Sequence, residues 1–370
     1  MKKQKHTEER TVIGIDLGDK NHTICVTSAG GKVVKEFTVA NQSKELERLA
    51  ADYPKARVAM EVGTHSPWIS RLLKGKGMEV FVANSRKLRA IYENERKSDQ
   101  RDARMLAKIA RLDPDLLSPV RHISEDGQKD LLLIKLRDTL VRQRAAIISS
   151  IRASLKALGV RLALGSTASF ARQAREALQE LHADLLTAVA PALSALEALC
   201  LQITAYDRAI DKATGRHAQA QRLQQIGGVG PITSLAFVLF IEDPERFKEP
   251  RDVGAYLGLV PRRDQSGETD KQLPISKSGN RYLRGLLVQS AQYLLGHFGP
   301  ECDLRTHGLS LAARGGKAAK KKAVIAVARK LGVLMLTLWR KDCDYQPLRP
   351  VRPERPLRTG KSITPTRKAA

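Results

Sequence analysis

The order of apolar segments in the first third of the chain constrains the fold more than any other feature. Residues 12–17 form an apolar run that ends at a tight turn, and residues 22–28 and 32–39 are two further strand-like segments. Strand-like segments at 57–62 and 78–83 then alternate with helical patterns. Three strands followed by helix, strand, helix and strand predict an α/β domain.

Acidic side chains fall at informative points of this domain. Asp16 lies inside the first apolar strand and Glu61 near the end of the fourth, and a buried carboxylate is costly unless it is paired or binds a metal. Asp99 and Asp102 stand three residues apart, on one face of a predicted helix. Four carboxylates on two strands and a helix suit two divalent cations that clamp the oxygens of a phosphodiester. Alternatively, Asp16 is a turn-edge residue and the other two aspartates are helix N-terminal acids.

The middle of the chain has the pattern of long helices. Residues 127–158 contain no proline, and leucine and isoleucine recur there at spacings of three, four or seven, as in a coiled coil or helical hairpin. Residues 170–214 are again helical, with an interruption expected near Pro191. We therefore expect an elongated helical module at 125–218 that serves oligomerisation, nucleic-acid contact or both.

A glycine-rich segment opens the last part of the chain. Residues 223–241 resemble a helix-hairpin-helix, in which Gly228 and Gly230 would let backbone amides reach a DNA phosphate. The alternative is an ordinary glycine-rich turn between packed helices. Arg262 and Arg263 follow in a polar hairpin or loop that offers further cations.

The stretch 273–295 begins with a polar turn and continues as a helix with one apolar face. Asn280 is the expected N-cap, and Ser276 and Ser278 therefore lie beside a helix N-terminus, which favours an anion such as a phosphate. A hydroxyl, a helix end and fixed cations suit attack on a phosphodiester, whereas the alternative is a capped helix with a solvated basic turn. The candidate cations are Lys277, Arg281 and Arg284.

Composition points to a polyanionic partner. The formal net charge is +25, so nucleic acid is the first candidate and a membrane surface the second. No apolar run approaches the roughly 18 residues of a spanning helix, and the N-terminus lacks the apolar core of a secretory signal. Four scattered cysteines without CxxC spacing argue against a zinc site or a disulfide framework, so we expect a cytoplasmic protein without a membrane partner. Residues 315–322 are expected to form a flexible basic loop, and residues 346–370 a basic, disordered tail.

Seven motifs taken in order resemble the DEDD-type transposases of bacterial insertion sequences, which are relatives of the Piv-type site-specific DNA invertases. The resemblance extends from about Val12 to Trp339. Any one motif is weak, but all seven in this order are highly specific. They are GIDLG with Asp16, MEVGTHSPW with Glu61, KSDQRDARMLA with Asp99 and Asp102, IGGVGPITS, YLGLVPR, ISKSGNRYLRGLL and KKAVIAVARKL.

The resemblance implies the domain organisation. A RuvC-like, RNase H-type domain at 1–124 would be followed by a coiled-coil linker at 125–218 and a mainly helical transposase domain at 219–345. It also implies a catalytic serine, which we place at Ser276, although Ser278 fits the motif loosely as well. Some members of the family use a structured guide RNA that pairs with donor and target DNA. Members assemble as dimers and tetramers, with the carboxylates of one subunit facing the serine of another.

The expected mechanism follows from this resemblance. Mg²⁺ or Mn²⁺ held by the four carboxylates positions the scissile phosphate, and Ser276 attacks it to give a phosphoserine and a free 3′-hydroxyl. Lys277 and Arg284 would stabilise the transition state as fixed cations. Two rival functions remain open at this point. One is a metal-only nuclease of the RuvC class that resolves Holliday junctions, and the other is a non-catalytic nucleic-acid-binding protein.

Overall fold

A computed structural model describes residues 10–85, 88, 98–163, 165–266 and 269–348 of the chain. The chain divides into two compact units, Met1–Ser124 and Glu125–Ala370. The tail predicted from residue 346 onward lies outside the described residues except for its first three.

The first unit is built on a mixed sheet of five strands in the order β3-β2-β1-β4-β5. The first three strands form an antiparallel meander, while β4 runs parallel to β1 and β5 parallel to β4. This arrangement confirms the predicted meander and the α/β character of the domain. The strands are β1 (Val12–Asp16), β2 (Asn21–Thr27), β3 (Val33–Ala40), β4 (Arg57–Glu61) and β5 (Glu79–Ala83).

Helices cover both faces of this sheet. α1 (Ser43–Asp52) and α2 (Ser66–Gly75) pack on the face of Ile13 and Ile15. α3 (Asp99–Leu112) packs on the opposite face, followed by a 3₁₀ turn at Pro114–Leu117. Because side chains alternate along a strand, Val12, Gly14 and Asp16 point towards α3.

The second unit begins with three helices that pack as a module. α4 (Glu125–Ala157) and α6 (Ala183–Thr214) pack against each other, and α5 (Phe170–Leu181) packs on α6. The predicted interruption near Pro191 is wrong, because α6 runs through the proline and the break falls at His182 instead. Burial of Leu193 and Leu196 in the core of this module holds the helix together past the proline.

One helix departs from the expectation that no segment reaches membrane-spanning length. By length and composition alone, α6 is long and apolar enough to cross a membrane. The sequence estimate missed it because scattered polar residues interrupt each apolar run. A single such helix is weak evidence for a membrane span. Ile203 and Ile210 are buried within the unit, although only 17% of the most apolar 18-residue stretch of the helix is buried.

The remainder of the second unit is mainly helical around one long helix, α12, against which α10 and α11 pack. Its first two turns contain Lys317, Lys320 and Lys322, so the predicted flexible basic loop is wrong. Alanine and lysine are strong helix formers, and the turn is confined to Gly315 and Gly316. The elements are α7 (Ala218–Leu223), α8 (Pro231–Ile241), 3₁₀ turns at Pro244–Arg246 and Pro250–Asp252, α9 (Val253–Tyr256), β6 (Pro261–Ser266), β7 (Thr269–Ile275), α10 (Arg281–Leu295), α11 (Asp303–Ala312) and α12 (Gly316–Lys341).

Candidate active site

The sheet of the first unit brings two of the predicted carboxylates to the same edge. β1 and β4 are parallel neighbours, with Ile15 paired to Met60 in the register. The next position on each strand is its last residue, Asp16 on β1 and Glu61 on β4. The carboxyl ends of parallel strands meet at one edge of a sheet, and paired residues of neighbouring strands point to the same face. Val12 and Ala59 contact α3, so Asp16 and Glu61, an even number of residues further along their strands, lie on the α3 side of that edge.

Helix α3 supplies the other two carboxylates above the same edge. A Cβ atom on Gly14 would lie 1.9 Å from the carbonyl oxygen of Ala103, so the helix backbone rests directly on the strand. Further along the helix, the carbonyl oxygen of Ala110 accepts a hydrogen bond of 3.1 Å from Arg57, at the opposite end of β4. The helix therefore runs against the strand direction, and its first turn, which holds Asp99 and Asp102, lies over the edge of Asp16.

The burial of these carboxylates differs. Asp102 is only 9% exposed, Asp16 and Glu61 are half-buried, and Asp99 is exposed. Among the described residues, no three histidine, cysteine, aspartate or glutamate side chains are grouped closely enough to hold a metal ion. The donor set itself, carboxylate oxygens only, is what Mg²⁺ and Mn²⁺ prefer. The fold thus gathers the four residues at one end of the sheet without forming a finished ligand cluster.

Sequence reasoning missed two contacts beside this edge. His65 Nε2 lies 3.1 Å from a carboxylate oxygen of Asp19, which joins the loops that follow β4 and β1. Ser66 is the first residue of α2, and His65 takes the cap position. The buried hydroxyl of Ser66 lies 2.9 Å from His122 Nε2, and burial lowers the pKa of His122, with smaller contributions from nearby cations. The sequence signal for the first contact was an acid and a histidine placed just after adjacent parallel strands.

The candidate nucleophile lies in the second unit, in a loop that is docked on another part of the backbone. The amide of Ser276 donates to the carbonyl of Val260 at 2.8 Å, and that of Lys277 donates to Gly258 at 3.1 Å. A Cβ atom on Gly279 would lie 1.9 Å from the carbonyl oxygen of Tyr256. The loop 276–279 is therefore fixed by backbone contacts with the segment 256–260.

The two candidate serines are neighbours in space. Their hydroxyl oxygens are 3.1 Å apart, with Ser276 half-buried and Ser278 exposed. Between them, Lys277 has a φ of 54°, a left-handed conformation that costs energy in a non-glycine residue and often marks functional sites. Asn280 caps α10 as predicted, because its side chain accepts a hydrogen bond of 3.0 Å from the amide of Leu283.

The cations near the serines have different surroundings. The Nη1 atom of Arg284 donates hydrogen bonds to the carbonyl oxygens of Leu257 and Gly279, each at 3.1 Å. These bonds connect the serine loop to the segment 256–260. Burial lowers the pKa of Arg284, and neighbouring Arg281 adds to this effect. Lys277 and Arg281 are exposed beside the helix end. The predicted polar hairpin is confirmed as β6 and β7, where Arg262 is exposed and Arg263 pairs with Asp270.

The predicted helix-hairpin-helix consists of α7, a glycine-rich turn and α8. Gly228 has a φ of 79°, and a Cβ atom on it would lie 2.8 Å from Tyr293 Cδ1 of α10. Close packing against Tyr293 is therefore one reason for glycine at this position. Gly230 is the N-cap residue of α8, and a Cβ atom there would meet open space. Both glycines line a cavity between the turn and α10.

Comparison with known proteins gives two family matches along the chain. Residues 13–159 match a family model of DEDD transposases of the IS110 type, described as a transposase. Residues 220–306 match a model described as the IS116/IS110/IS902 family of transposases. Together the two matches span more than half of the chain, and they include both the carboxylate edge and the serine loop.

Individual relatives extend this similarity. The chain is 27% identical to the transposase for insertion sequence element IS1111A of Coxiella burnetii, over 93% of this chain and 94% of the relative. It is 28% identical to the transposase for insertion sequence element IS1328 of Yersinia enterocolitica, over 76% of this chain and 83% of the relative. A shorter segment of the chain is similar to the pilin gene-inverting protein of Moraxella lacunata. The identity there is 30% over 34% of this chain and 38% of the relative.

Proposed function

Because the chain belongs to the IS116/IS110/IS902 family of transposases, we propose that it cuts and rejoins DNA through a covalent intermediate on Ser276. The observation that carries this proposal is the construction of the loop 276–279. Its serine hydroxyl is held beside a capped helix N-terminus by contacts between backbone atoms, around a residue in a strained conformation. The positive φ alone does not distinguish this loop, because the helix C-cap residues Ser118, Glu242 and Asp342 have it too. Its docking on the segment 256–260 through backbone contacts does.

The proposed reaction exchanges one phosphodiester for another. The Ser276 oxygen bonds to the scissile phosphorus as the bond to the 3′ oxygen breaks, and the leaving oxygen takes up the proton that the serine loses. The phosphoserine keeps the energy of the broken bond, so reversal of the attack by a new 3′-hydroxyl rejoins DNA without an energy cofactor. Ser278 is the alternative nucleophile, since its hydroxyl is 3.1 Å from that of Ser276.

Residues around the serine are assigned separate tasks. The amides at the start of α10 favour the phosphate that Ser276 would attack, and exposed Lys277 and Arg281 add positive charge. Arg284 acts as a positioning residue, because its Nη1 donates to two backbone carbonyls, one of the loop and one of its neighbouring segment. This role is added to the stabilisation of the transition state that was expected of Arg284.

The carboxylate edge is proposed as the second half of the machinery. Asp16, Glu61, Asp99 and Asp102 would hold Mg²⁺ or Mn²⁺, which supplies charge neutralisation and alignment of a phosphodiester when bound. The side chains themselves keep hard oxygen donors at the end of the sheet where a strand of DNA can approach. Exposed Asp99 and half-buried Asp16 and Glu61 leave that end accessible.

The proposal extends to partners and organisation. The substrates would be the ends of an insertion sequence and a target DNA, with an element-encoded guide RNA as a further partner. The protein would act in the bacterial cytoplasm, associated with the nucleoid, as a dimer that forms tetramers in synapsis. Within the second unit, we propose a coiled-coil module at 125–218 and a serine transposase domain at 219–345, after an RNase H-like domain at 1–124.

A recombination assay on DNA that carries the element junction tests this function. Ser276→Ala and Asp16→Asn should each abolish joined product in the presence of Mg²⁺, whereas Ser310→Ala, an exposed serine in α11, should not. Loss of rejoining in Ser276→Ala with cleavage kept would instead favour the metal-only nuclease. Unchanged activity in Asp16→Asn would remove the carboxylates from the mechanism.

A further inference from the structure

The cavity between the glycine-rich turn and α10 differs from the rest of this basic protein. It has a volume of about 480 Å³, within the usual range for a small-ligand site. All its lining side chains are uncharged: two glutamines, two hydroxyls, a tyrosine and several aliphatic groups. A chain with a net charge of +25 therefore presents a neutral, hydrogen-bonding cavity at the turn that was expected to contact phosphate.

Thr233 and Ser290 place two hydroxyls at the wall of this cavity. Thr233 is 7% exposed and Ser290 is 4% exposed. In the described parts of the chain, neither side-chain oxygen takes part in a hydrogen bond, whereas the neighbouring Ser234 donates to the carbonyl of Pro231. A hydroxyl at a cavity wall that makes no hydrogen bond within the protein can bond to a ligand that enters the cavity.

One aromatic ring, that of Tyr293, lines the same cavity, and two further rings lie in the loop that follows α10. Tyr293 is 49% exposed and packs its ring edge against Gly228. The loop that follows α10 approaches the turn again, because a Cβ atom on Gly227 would lie 2.4 Å from Pro300. Phe298 in this loop is 82% exposed, with the ring of His297 at 5.0 Å. Exposed rings beside a nucleic-acid-binding surface are suited to stacking on bases.

We propose that this cavity receives one unpaired nucleobase, an inference that rests on the proposed action of the protein on nucleic acid. A base is flat and neutral, and its edge carries donors and acceptors for the amide of Gln289 and for the two hydroxyls. Tyr293 offers a ring for stacking. The side chains of the lining offer no cation to a phosphate, and a phosphate would bind the amides at the N-terminus of α8 instead. Strands without bases that keep every phosphate separate these two ligands. Recognition of a base outside the stack by its edge and by an aromatic ring is a known strategy of enzymes that act on DNA.

Binding of the full-length protein to short labelled single strands tests this inference. The probes are a 12-nucleotide DNA, the same sequence as RNA, and versions of each in which abasic residues replace the central bases while every phosphate is kept. Fluorescence anisotropy gives the dissociation constants. For at least one of the two nucleic acids, the base-containing strand should bind about tenfold more tightly than its abasic version, the size expected for one stacked base. The arm that shows this ratio identifies DNA or RNA as the source of the base.

Substitutions in α10 locate the effect. Gln289→Ala and Ser290→Ala should each reduce the ratio between base-containing and abasic strands several-fold, and Tyr293→Leu should bring it close to one. Gln292→Ala is the matched control, because Gln292 is an exposed glutamine of the same helix that does not line the cavity, and it should keep the ratio. The thermal unfolding midpoint of each variant checks that the fold is retained.

The outcomes separate this inference from the proposed function. Equal binding of base-containing and abasic strands by the wild-type protein, or an unchanged ratio in folded Tyr293→Leu and Ser290→Ala variants, would overturn the base site alone. Failure to bind any single strand would also overturn the base site, while recombination of junction DNA by the same protein would keep the proposed function. If the wild-type protein forms no covalent Ser276 product but still binds base-containing strands more tightly than abasic ones, only the proposed serine chemistry would be overturned.

Discussion

The carboxylate edge of the first unit and the serine loop of the second are held in place by different means. Regular structure positions the carboxylates: the register between β1 and β4 aligns Asp16 with Glu61, and α3 lies against Gly14. Contacts between irregular segments position Ser276, whose loop is docked on the segment 256–260. Damage to the first arrangement should unfold its unit, whereas damage to the second should displace the nucleophile within a unit that stays folded.

Two glycines allow a direct comparison, because a Cβ atom at either would lie 1.9 Å from a backbone carbonyl oxygen. The larger effect on stability is expected at Gly14, where strand and helix would have to separate. Gly14→Ala should destabilise the first unit by about 3 kcal/mol, at the upper end of overpacking penalties. Gly75→Ala is the matched control, because a Cβ atom there meets nothing within 4 Å.

The thiol of Cys25 reports this unfolding. It is fully buried in β2, and burial, with a smaller contribution from Glu36, raises its pKa to about 11. Since the thiolate is the reactive form, Cys25 should resist alkylation at pH 8 in the wild-type protein and react readily in Gly14→Ala. An equally protected Cys25 in both proteins would show that α3 does not rest on β1 as described.

Gly279→Ala should lower the reaction rate without unfolding its unit, in contrast to Gly14→Ala. The added methyl group would push the serine loop away from Tyr256, and a displacement of about 1 Å at a reacting group can lower a rate roughly 100-fold. Formation of the covalent product should fall by that order, while buried Cys302 of the same unit stays protected from alkylation. Gly285→Ala in α10, where a Cβ atom would meet nothing within 4 Å, should leave the rate unchanged. A fully active Gly279→Ala variant would mean that the docked loop does not position the nucleophile.

Substitutions of Arg284 distinguish its role in positioning the serine loop from an effect of its positive charge. Arg284→Ala removes two hydrogen bonds to backbone carbonyls. We expect the rate of covalent product formation to fall at least about tenfold, which corresponds to one charged hydrogen bond at the lower end of its usual strength. Arg284→Lys should not restore the rate, because one ammonium group cannot reproduce the guanidinium geometry. Rescue by lysine would indicate instead that the charge acts on the phosphate. Arg281→Ala, at an exposed position of the same helix, should affect DNA affinity more than rate.

The smallest expected effect is a pH dependence of the first unit. Burial lowers the pKa of both His22 and His122, so the unfolded chain takes up protons that the folded unit resists. Stability should therefore fall as the pH drops below the ordinary histidine pKa of about 6.5, and level off once the folded histidines also protonate. Thermal unfolding of the first unit between pH 7.5 and 5 measures this, and His122→Gln should flatten the curve. A midpoint that does not change with pH would contradict the burial of these rings.

The contrast between regular structure at the carboxylates and irregular segments at the serine also explains what the sequence could predict. The order of strands and helices along the chain, the position of Glu61 near a strand end and the cap at Asn280 follow from local pattern, and the structure has them. Asp16 was expected inside its strand but is its last residue. The docking of the serine loop does not, because its backbone contacts join segments separated by about 20 residues without a side-chain signature. Local reasoning also failed at Pro191, where tertiary packing carries the helix past a residue that usually interrupts one. The neutral cavity beside Gly228 was missed for the same reason, since its lining comes from distant helices.

The most direct test of the serine mechanism is to trap the covalent intermediate. Purified protein, Mg²⁺ and nicked DNA carrying the element junction would be denatured, digested and analysed by peptide mass spectrometry. We predict a DNA-linked peptide whose modified residue is Ser276, absent from Ser276→Ala and from Asp16→Asn, while a link to Ser278 would keep the mechanism and move the nucleophile by two residues. Metal-dependent cleavage without any DNA-linked peptide, together with full activity of Ser276→Ala, would contradict the account and leave a metal-dependent nuclease.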